Sequence, residues 1–127
     1  MTSTQTARRP VVLIVEDDLL IRLNAAEIIE EAEFAVVEAA NADEAIEILE
    51  TRSDITVLFT DIQMPGSMDG LKLAAAVKGR WPPIKIVATS GRVNVRADEL
   101  PRGGRFLAKP YNTNELTATL RELTANP

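Results

Sequence analysis

The segment that decides the fold runs from residue 55 to residue 66 and reads Ile-Thr-Val-Leu-Phe-Thr-Asp-Ile-Gln-Met-Pro-Gly. Its first six residues are apolar or β-branched with no polar alternation, which is typical of a strand buried on both faces of a parallel sheet. The run stops at Asp61, and Met-Pro-Gly then interrupts regular structure. The segment therefore predicts a buried strand over residues 55–60 that delivers a carboxylate to its carboxyl end.

Four other segments resemble strands, and the first of them repeats this arrangement. Residues 11–15 read Val-Val-Leu-Ile-Val and stop at Glu-Asp-Asp, so they predict a second buried strand followed by acidic residues. None of the remaining strands is longer than five residues. They are predicted at residues 34–37, 84–88 and 106–108.

Helices are predicted between the strands, from apolar residues at three- and four-residue spacings. The predicted segments are residues 19–32 behind an Asp18 cap, the stretch after an Asn41 cap that carries Ala45, Ile46 and Leu49, residues 71–77, and residues 113–124 behind an Asn112 or Thr113 cap. In the first helix, Leu20, Leu23 and Ile28 are expected on the core side. Residues 94–100 have weak periodicity and predict at most a short helix.

Strands and helices that alternate in this way predict an α/β fold. The expected architecture is an open, doubly wound sheet of five parallel strands with about five helices, the fourth of them short or irregular. A chain of 127 residues has room for one such domain. We assign residues 10–125 to the domain and residues 1–9 to a flexible tail, and we expect a stand-alone unit.

The composition excludes several classes of protein. A net charge of -5 has the wrong sign for coating a phosphate backbone, so direct DNA binding is not expected. Cysteine and histidine are absent, which excludes Ser-His-Asp hydrolases and zinc sites built from those ligands. No segment approaches the ~20 apolar residues of a membrane span, and the polar start is unlike a signal peptide. We therefore expect a cytoplasmic protein without membrane contact.

Polar side chains follow four of the predicted strands. In chain order they are Glu16 and Asp17, Asp61, Thr89 or Ser90, and Lys109. The carboxyl ends of parallel strands meet at one edge of the sheet, so these groups are expected to converge. The three carboxylates would repel one another unless a hard divalent cation and the lysine compensated their charge. Oxygen ligands favour Mg²⁺, with Mn²⁺ as the alternative, over zinc.

Asp61 is the best candidate nucleophile at this edge. A carboxylate can attack phosphorus without a proton-abstracting base, so the lack of histidine is no obstacle to phosphoryl transfer. Asp17 and Asp61 would hold the cation, while Lys109 and the Ser90 hydroxyl would bind phosphoryl oxygens. Catalysis would then consist of positioning and charge neutralisation.

Four motifs together resemble a bacterial response regulator receiver domain, in particular the single-domain, chemotaxis-regulator-like kind. They are Val-Glu-Asp-Asp at 15–18, Thr-Asp-Ile-Gln-Met-Pro-Gly-Ser-Met-Asp-Gly at 60–70, Thr-Ser-Gly at 89–91 and Ala-Lys-Pro-Tyr at 108–111. The resemblance implies a flavodoxin-like strand order 2-1-3-4-5 and a cis bond before Pro110. It also implies a switch of two-component and phosphorelay signalling rather than a metabolic enzyme, with a sensor histidine kinase or histidine phosphotransfer protein as phosphodonor and a downstream protein target.

The resemblance also assigns roles to individual residues. Asp61 matches the phospho-acceptor, and Lys109 matches the lysine that pairs with the phosphoryl group. The metal ligands would be Asp17, Asp61 and the backbone carbonyl of Gln63, with Glu16 acting through water. The switch residues would be Ser90, at the hydroxyl position, and Phe106.

Four features depart from the commonest receiver pattern. One is the segment between Ser90 and Lys109, which is short for a normal fourth helix. Glu16 stands where aspartate is usual, and Ser67 makes the loop after Asp61 one residue longer. Phe106 replaces the usual switch tyrosine, so its ring could move but has no hydroxyl to form a hydrogen bond.

Two other functions share some of these features. A metal-dependent phosphatase of the haloacid dehalogenase type also places an aspartate after a buried strand, but it usually has a second carboxylate two residues later, where this chain has Gln63. The other is a receiver-like module that binds partners without phosphorylation, and the intact acidic site argues against it.

Overall fold

The computed structural model describes residues 9–91 and 96–125. Five parallel strands form one sheet in the order β2-β1-β3-β4-β5. The strands are β1 (Val11–Val15), β2 (Ala35–Ala39), β3 (Ile55–Asp61), β4 (Lys85–Ser90) and β5 (Arg105–Ala108). The predicted α/β class and the 2-1-3-4-5 order are confirmed.

Helices cover both faces of the sheet. They are α1 (Leu19–Glu31), α2 (Ala42–Thr51), α3 (Gly70–Arg80) and α4 (Thr113–Thr124), with a 3-10 helix at Ala97–Glu99. The described ranges thus hold four α-helices, and the 3-10 helix takes the place of the short fourth helix predicted over residues 94–100. Residues 94 and 95 of that prediction lie outside the described part of the chain, as do residues 1–8 of the predicted tail.

The core has two layers, one on each side of the sheet, because successive strand residues point to opposite faces. Leu13 of β1 packs with α2 and α3, whereas its neighbour Ile14 packs with α1 and α4. Strands β1 and β3 are buried along nearly their whole length, as their unbroken apolar sequences predict.

The predicted helix caps are present. The side chain of Asp18 accepts a hydrogen bond from the Ile21 amide, and Asn41 caps α2 in the same way. At α4 the cap is Asn112, where the sequence left Thr113 open, and Glu115 completes a capping box with it. These caps place the helix starts at the carboxyl edge of the sheet.

Helix α1 differs from its predicted orientation. Leu20 and Leu23 were expected in the core but are 77% and 46% exposed, while Ala25, Ala26 and Ile29 are buried. Because α1 begins where β1 has already ended, its first turns lie at the rim of the sheet, and only its second half reaches the core.

The second strand begins one residue later than predicted, because Phe34 belongs to the turn that ends α1. The amide of Phe34 bonds to the Ile29 carbonyl, and the Glu33 amide bonds to the Glu30 carbonyl. This pattern is a Schellman motif, and it places Glu33 in the left-handed region at φ 75°. Glycine is the usual residue there, so a glutamate at this position does not predict the turn.

Candidate functional site

The strand register brings four strand ends into one line at the carboxyl edge. Val15 lies beside Thr60, Asp61 beside Thr89, and Ser90 beside Ala108. The residues at or just after these positions therefore form a continuous row, which was the sequence-based expectation. The row contains Glu16, Asp17, Asp61, Ser90 and Lys109.

Three carboxylates lie together in this row. One carboxylate oxygen from each of Glu16, Asp17 and Asp61 lies within 4.8 Å of the others. Glu16 and Asp61 are only 5% and 6% exposed, whereas Asp17 faces solvent. The site is therefore an acidic cluster with two buried members and one side open to water.

Lys109 is the cation of the cluster. Its Nζ lies 3.3 Å from Glu16 Oε1 and 3.4 Å from Asp61 Oδ1. The peptide bond between Lys109 and Pro110 is cis, as the resemblance implied. One ammonium thus contacts two of the three carboxylates, so negative charge remains in excess.

Burial and mutual repulsion shift the proton affinities of the buried carboxylates. Loss of solvation raises the pKa of Asp61, and the charge of Asp17 adds to this, against the lowering effect of Lys109. Loss of solvation also raises the pKa of Glu16, although the Asp18 amide, 3.1 Å from Glu16 Oε2, opposes it. Burial by itself would lower the pKa of Lys109, but the charges of Asp61 and Glu16 outweigh that effect and raise it.

One oxygen of the nucleophile candidate lacks a hydrogen bond. Asp61 Oδ1 is fully buried and has no hydrogen-bond donor among the described residues, although Lys109 Nζ, 3.4 Å away, forms an ion pair with it. A buried oxygen in this state costs free energy, about 1–3 kcal/mol, unless another group satisfies it. With oxygen donors from three carboxylates nearby, the residues fit a hard divalent cation such as Mg²⁺.

The two hydroxyl candidates have different partners. Thr89 Oγ1 donates to the Leu107 carbonyl at 2.8 Å and so ties β4 to β5. Ser90 Oγ donates to Gln63 Oε1 at 2.7 Å, in the loop that follows Asp61. Ser90, the residue favoured from the sequence, is therefore linked to the site, while Thr89 has a structural partner.

The switch candidate Phe106 is half-buried on β5. It packs against a small cluster of Ile62, Ala88 and Leu100, with Leu71 beside it. Ile62 directly follows Asp61, so the cluster that Phe106 packs against includes a residue of the segment that carries the candidate nucleophile. Phe106 therefore lies where a movement of the loop would change its packing.

Two residues near the site were missed by the sequence analysis. A Cβ at Gly70 would overlap the backbone carbonyl of Asp61, so glycine is required for α3 to start this close to β3. The Asp-Gly pair at the start of α3 was the available signal. Arg22 of α1 donates from Nη1 to the Glu16 carbonyl at 2.8 Å. The one sequence feature that could have drawn attention to Arg22 is its position as a basic residue in the first turn of a helix, where acidic residues are favoured.

None of the helices within the described ranges has the length and apolarity required to cross a bilayer.

Comparison with known proteins agrees with this arrangement. The family model described as response regulator receiver domain matches residues 12–121. The sensor kinase CckA of Brucella abortus is 30% identical over 125 residues, which cover 95% of this chain but only 13% of that protein. The chemotaxis protein CheY of Listeria monocytogenes is 32% identical over 115 residues, covering 87% of this chain and 94% of CheY.

A solved structure has the same fold. It is the response regulator protein TrrA of Thermotoga maritima, crystallised in complex with Mg(2+)-BeF. Its TM-score is 0.80 at 24% sequence identity, with 90% of this chain and 98% of that chain covered.

The match to the family model covers most of the chain, and the CheY alignment covers nearly the whole of a single-domain relative. Receiver domains are signalling switches of two-component systems and are not generally classed as enzymes. The four motifs, the strand order and the acidic pocket agree with this assignment. The chain belongs to the response regulator receiver domain family.

Proposed function

We propose that this chain accepts a phosphoryl group on Asp61 from a phosphohistidine of a sensor histidine kinase or a histidine phosphotransfer protein, in the presence of Mg²⁺, and then relays or displays the signal. The observation that carries the proposal is the buried Asp61 oxygen without a hydrogen bond, in an acidic cluster that faces one lysine. A receiver in the cytoplasm would have this access to its donor.

The chemistry requires few groups. An oxygen of Asp61 attacks phosphorus and forms a new O–P bond while the N–P bond to the donor imidazole breaks. The imidazole carries one ring proton and therefore leaves as the neutral base. Glu16 through water, Asp17, Asp61 and the Gln63 carbonyl would hold Mg²⁺. When bound, the ion neutralises the carboxylates and the phosphoryl oxygens. The Mg(2+)-BeF complex of TrrA supports this metal.

Lys109 and Ser90 respond to the new charge. The Lys109 ammonium, already 3.4 Å from Asp61 Oδ1, pairs with a phosphoryl oxygen. The Ser90 hydroxyl exchanges its Gln63 acceptor for another phosphoryl oxygen. Ser90 is the last residue of β4, which pairs with β5, so this exchange shifts the backbone near Phe106. The surface that a downstream protein binds changes as a result.

The surface beside the site supports a protein phosphodonor. The start of α1 exposes Leu19, Leu20, Ile21 and Leu23, which are 39–77% exposed and follow directly after Asp17 and Asp18. Adjacent exposed apolar side chains of this size mark interaction surfaces. A protein that covers them would place its phosphohistidine next to Asp61. A net charge of -5 favours a protein over DNA as the partner.

Several relatives are much longer than this chain, which spans 13% of the length of CckA. The identity of the kinase and of the downstream target therefore depends on the protein in which the receiver acts.

Mass spectrometry after incubation with acetyl phosphate and Mg²⁺ tests the proposal. The wild-type chain is expected to gain one phosphoryl group at Asp61, and Asp61→Asn is expected to gain none because the amide is not a nucleophile. Asp54→Asn, at the opposite edge of the sheet, is the matched control and should behave as wild type.

Three other results would contradict the proposal in different ways. A phosphoryl group found on another residue would reject the assignment of Asp61. Release of phosphate from small organic phosphates without a lasting phosphoprotein would favour the phosphatase alternative. No mass increase with either acetyl phosphate or a phosphorylated kinase domain would favour binding without phosphorylation.

A further inference from the structure

We propose that Arg22 is a positioning residue for the metal and phosphoryl site, an inference that rests on the proposed function. Arg22 lies in the first turn of α1, and its side chain is only 15% exposed. Its Nη1 donates to the backbone carbonyl of Glu16 at 2.8 Å, and its Nε donates to Glu38 Oε1 on β2 at 3.0 Å. One guanidinium thus connects a helix, a neighbouring strand and the backbone of the acidic cluster.

The Glu16 carbonyl, which accepts the hydrogen bond from Arg22, lies between two acidic residues. It belongs to the peptide group that joins Glu16 to Asp17, the two acidic residues contributed by the end of β1. On the other side of that residue, the Glu16 amide donates to the Ala39 carbonyl at 3.1 Å, which extends the strand pairing by one residue. Strand pairing between this segment and β2 ends at Glu16. The Arg22 bond therefore fixes the direction of the peptide from which the Asp17 side chain projects.

The guanidinium acts here mainly through geometry. Its charge is paired with Glu38, whose side chain is 34% exposed, so its net field at the carboxylates is reduced. The planar fork lets one nitrogen reach Glu38 while another reaches Glu16, which an ammonium cannot reproduce with the same rigidity. Groups that orient metal ligands typically change metal affinity by about tenfold or more when removed.

A positioning role and a purely electrostatic role of Arg22 predict opposite changes in Mg²⁺ affinity when the residue is replaced. Removal of a positive charge near an acidic cluster strengthens the binding of a divalent cation if the charge acts only through its field. Loss of the bond to the Glu16 carbonyl weakens that binding if Arg22 sets the direction of Asp17. The sign of the change in Mg²⁺ affinity therefore separates the two roles.

The test is calorimetric titration with Mg²⁺ alone, at a temperature where each variant is shown to be folded by circular dichroism. Arg22→Met is expected to bind Mg²⁺ about tenfold more weakly than wild type. Arg22→Lys keeps the charge but loses the fork, and it is also expected to bind more weakly. Arg52→Met, which breaks an ion pair at the opposite edge of the sheet, is the matched control and should leave the affinity unchanged.

Amide NMR spectra give a second readout that a general loss of stability would not produce. The signals of Glu16, Asp17 and Asp18 should shift in Arg22→Met, while those of the α2–β3 and α3–β4 loops stay in place. Unchanged or tighter Mg²⁺ binding by Arg22→Met would overturn the inference. If that variant does not fold, wild-type affinity in Arg22→Lys overturns it.

The same titration separates this inference from the proposed function. Failure of the wild-type chain to bind Mg²⁺ or to accept a phosphoryl group would reject the proposed function, and the inference with it. Wild-type binding and phosphorylation together with unchanged or tighter Mg²⁺ binding by Arg22→Met would reject only the role of Arg22.

Discussion

Two aspartates at opposite edges of the same sheet have pKa values shifted in opposite directions. At the amino edge, the hydrogen bonds from Arg52 lower the pKa of Asp54, which is exposed and bonded at 2.9 and 2.7 Å. At the carboxyl edge, burial raises the pKa of Asp61, and one of its oxygens has no hydrogen bond from any described residue. The amino edge satisfies its charges internally, whereas the carboxyl edge leaves negative charge for a ligand to neutralise.

The shape of the surface does not distinguish the two edges. The amino edge has an open depression of about 480 Å³ next to Trp81, with the exposed pair Arg80–Glu50 in its wall. At the carboxyl edge, the space beside Asp61 itself measures only about 10 Å³, but open depressions of about 420 and 430 Å³ lie beside Gln63 and Lys109. Since a phosphoryl group carried by a protein needs an accessible edge rather than a deep cavity, charge locates this site better than volume does.

Replacement of Lys109 should have the largest effect on this comparison. In Lys109→Ala the two buried carboxylates lose the one cation that pairs with them among the described residues, so we expect the metal-free fold to lose about 2 kcal/mol at neutral pH. The loss is less than for a fully buried pair because the lysine side chain is 24% exposed. The structural change on addition of beryllofluoride should also be reduced. Urea unfolding and beryllofluoride-induced NMR shifts measure the two effects. Wild-type behaviour in both would remove Lys109 from the switch.

Replacement of Asp17 tests the exposed member of the acidic cluster. Asp17→Asn exchanges a charged ligand for a neutral one, so Mg²⁺ affinity should fall about tenfold, or ~1.4 kcal/mol. The fold should remain as stable as wild type, since Asp17 faces solvent. Calorimetric titration measures the affinity, with Asp43→Asn as an exposed control on α2. An unchanged affinity would exclude Asp17 as a ligand.

The two edges should respond to pH in opposite directions. The pKa values of Asp61 and Glu16 are raised in the fold. Their contribution to stability is therefore present below about pH 4 and is lost as the pH rises through the folded-state values. The pKa of Asp54 is lowered, so its contribution is present above about pH 4 and is lost as the pH falls.

Urea unfolding between about pH 4 and pH 7 with a chelator present measures this balance. The Asp61→Asn variant should gain roughly 1 kcal/mol over wild type at pH 7, and the gain should shrink toward pH 4. Addition of Mg²⁺ should abolish the gain by stabilising only the wild type. A gain that is independent of pH would contradict the assigned direction of the Asp61 shift.

The smallest effect is expected from the exposed ion pair at the amino edge. Glu50→Gln should change the free energy of unfolding by less than about 0.5 kcal/mol, because the Arg80–Glu50 pair is half-exposed and screened by water and salt. Mg²⁺ affinity and phosphorylation by acetyl phosphate should not change. A loss of either activity would show that the two edges are coupled.

Much of this molecule could be predicted from the sequence, since the relevant signals are local. The apolar runs at residues 11–15 and 55–60 predicted buried parallel strands, and Asp18, Asn41 and Asn112 predicted the helix starts. Polar residues placed directly after the strands predicted the acidic site, because the carboxyl ends of parallel strands meet at one edge. Each of these inferences depends on residues a few positions apart.

The tertiary structure decided the features that depend on distant partners. The exposure of Leu20 and Leu23 could not be predicted, because helical periodicity defines an apolar face but not how far the helix reaches over the sheet. The left-handed Glu33 has no sequence signal, since the usual glycine is absent. Lys109 and Glu16 are 93 residues apart, Ser90 and Gln63 are 27 apart, and Arg22 reaches both β1 and β2. The sequence by itself determined which charges gather at the edge, and only the packing of α1 and the strands decided which of them are compensated, because ion pairing and burial depend on distances that folding alone establishes.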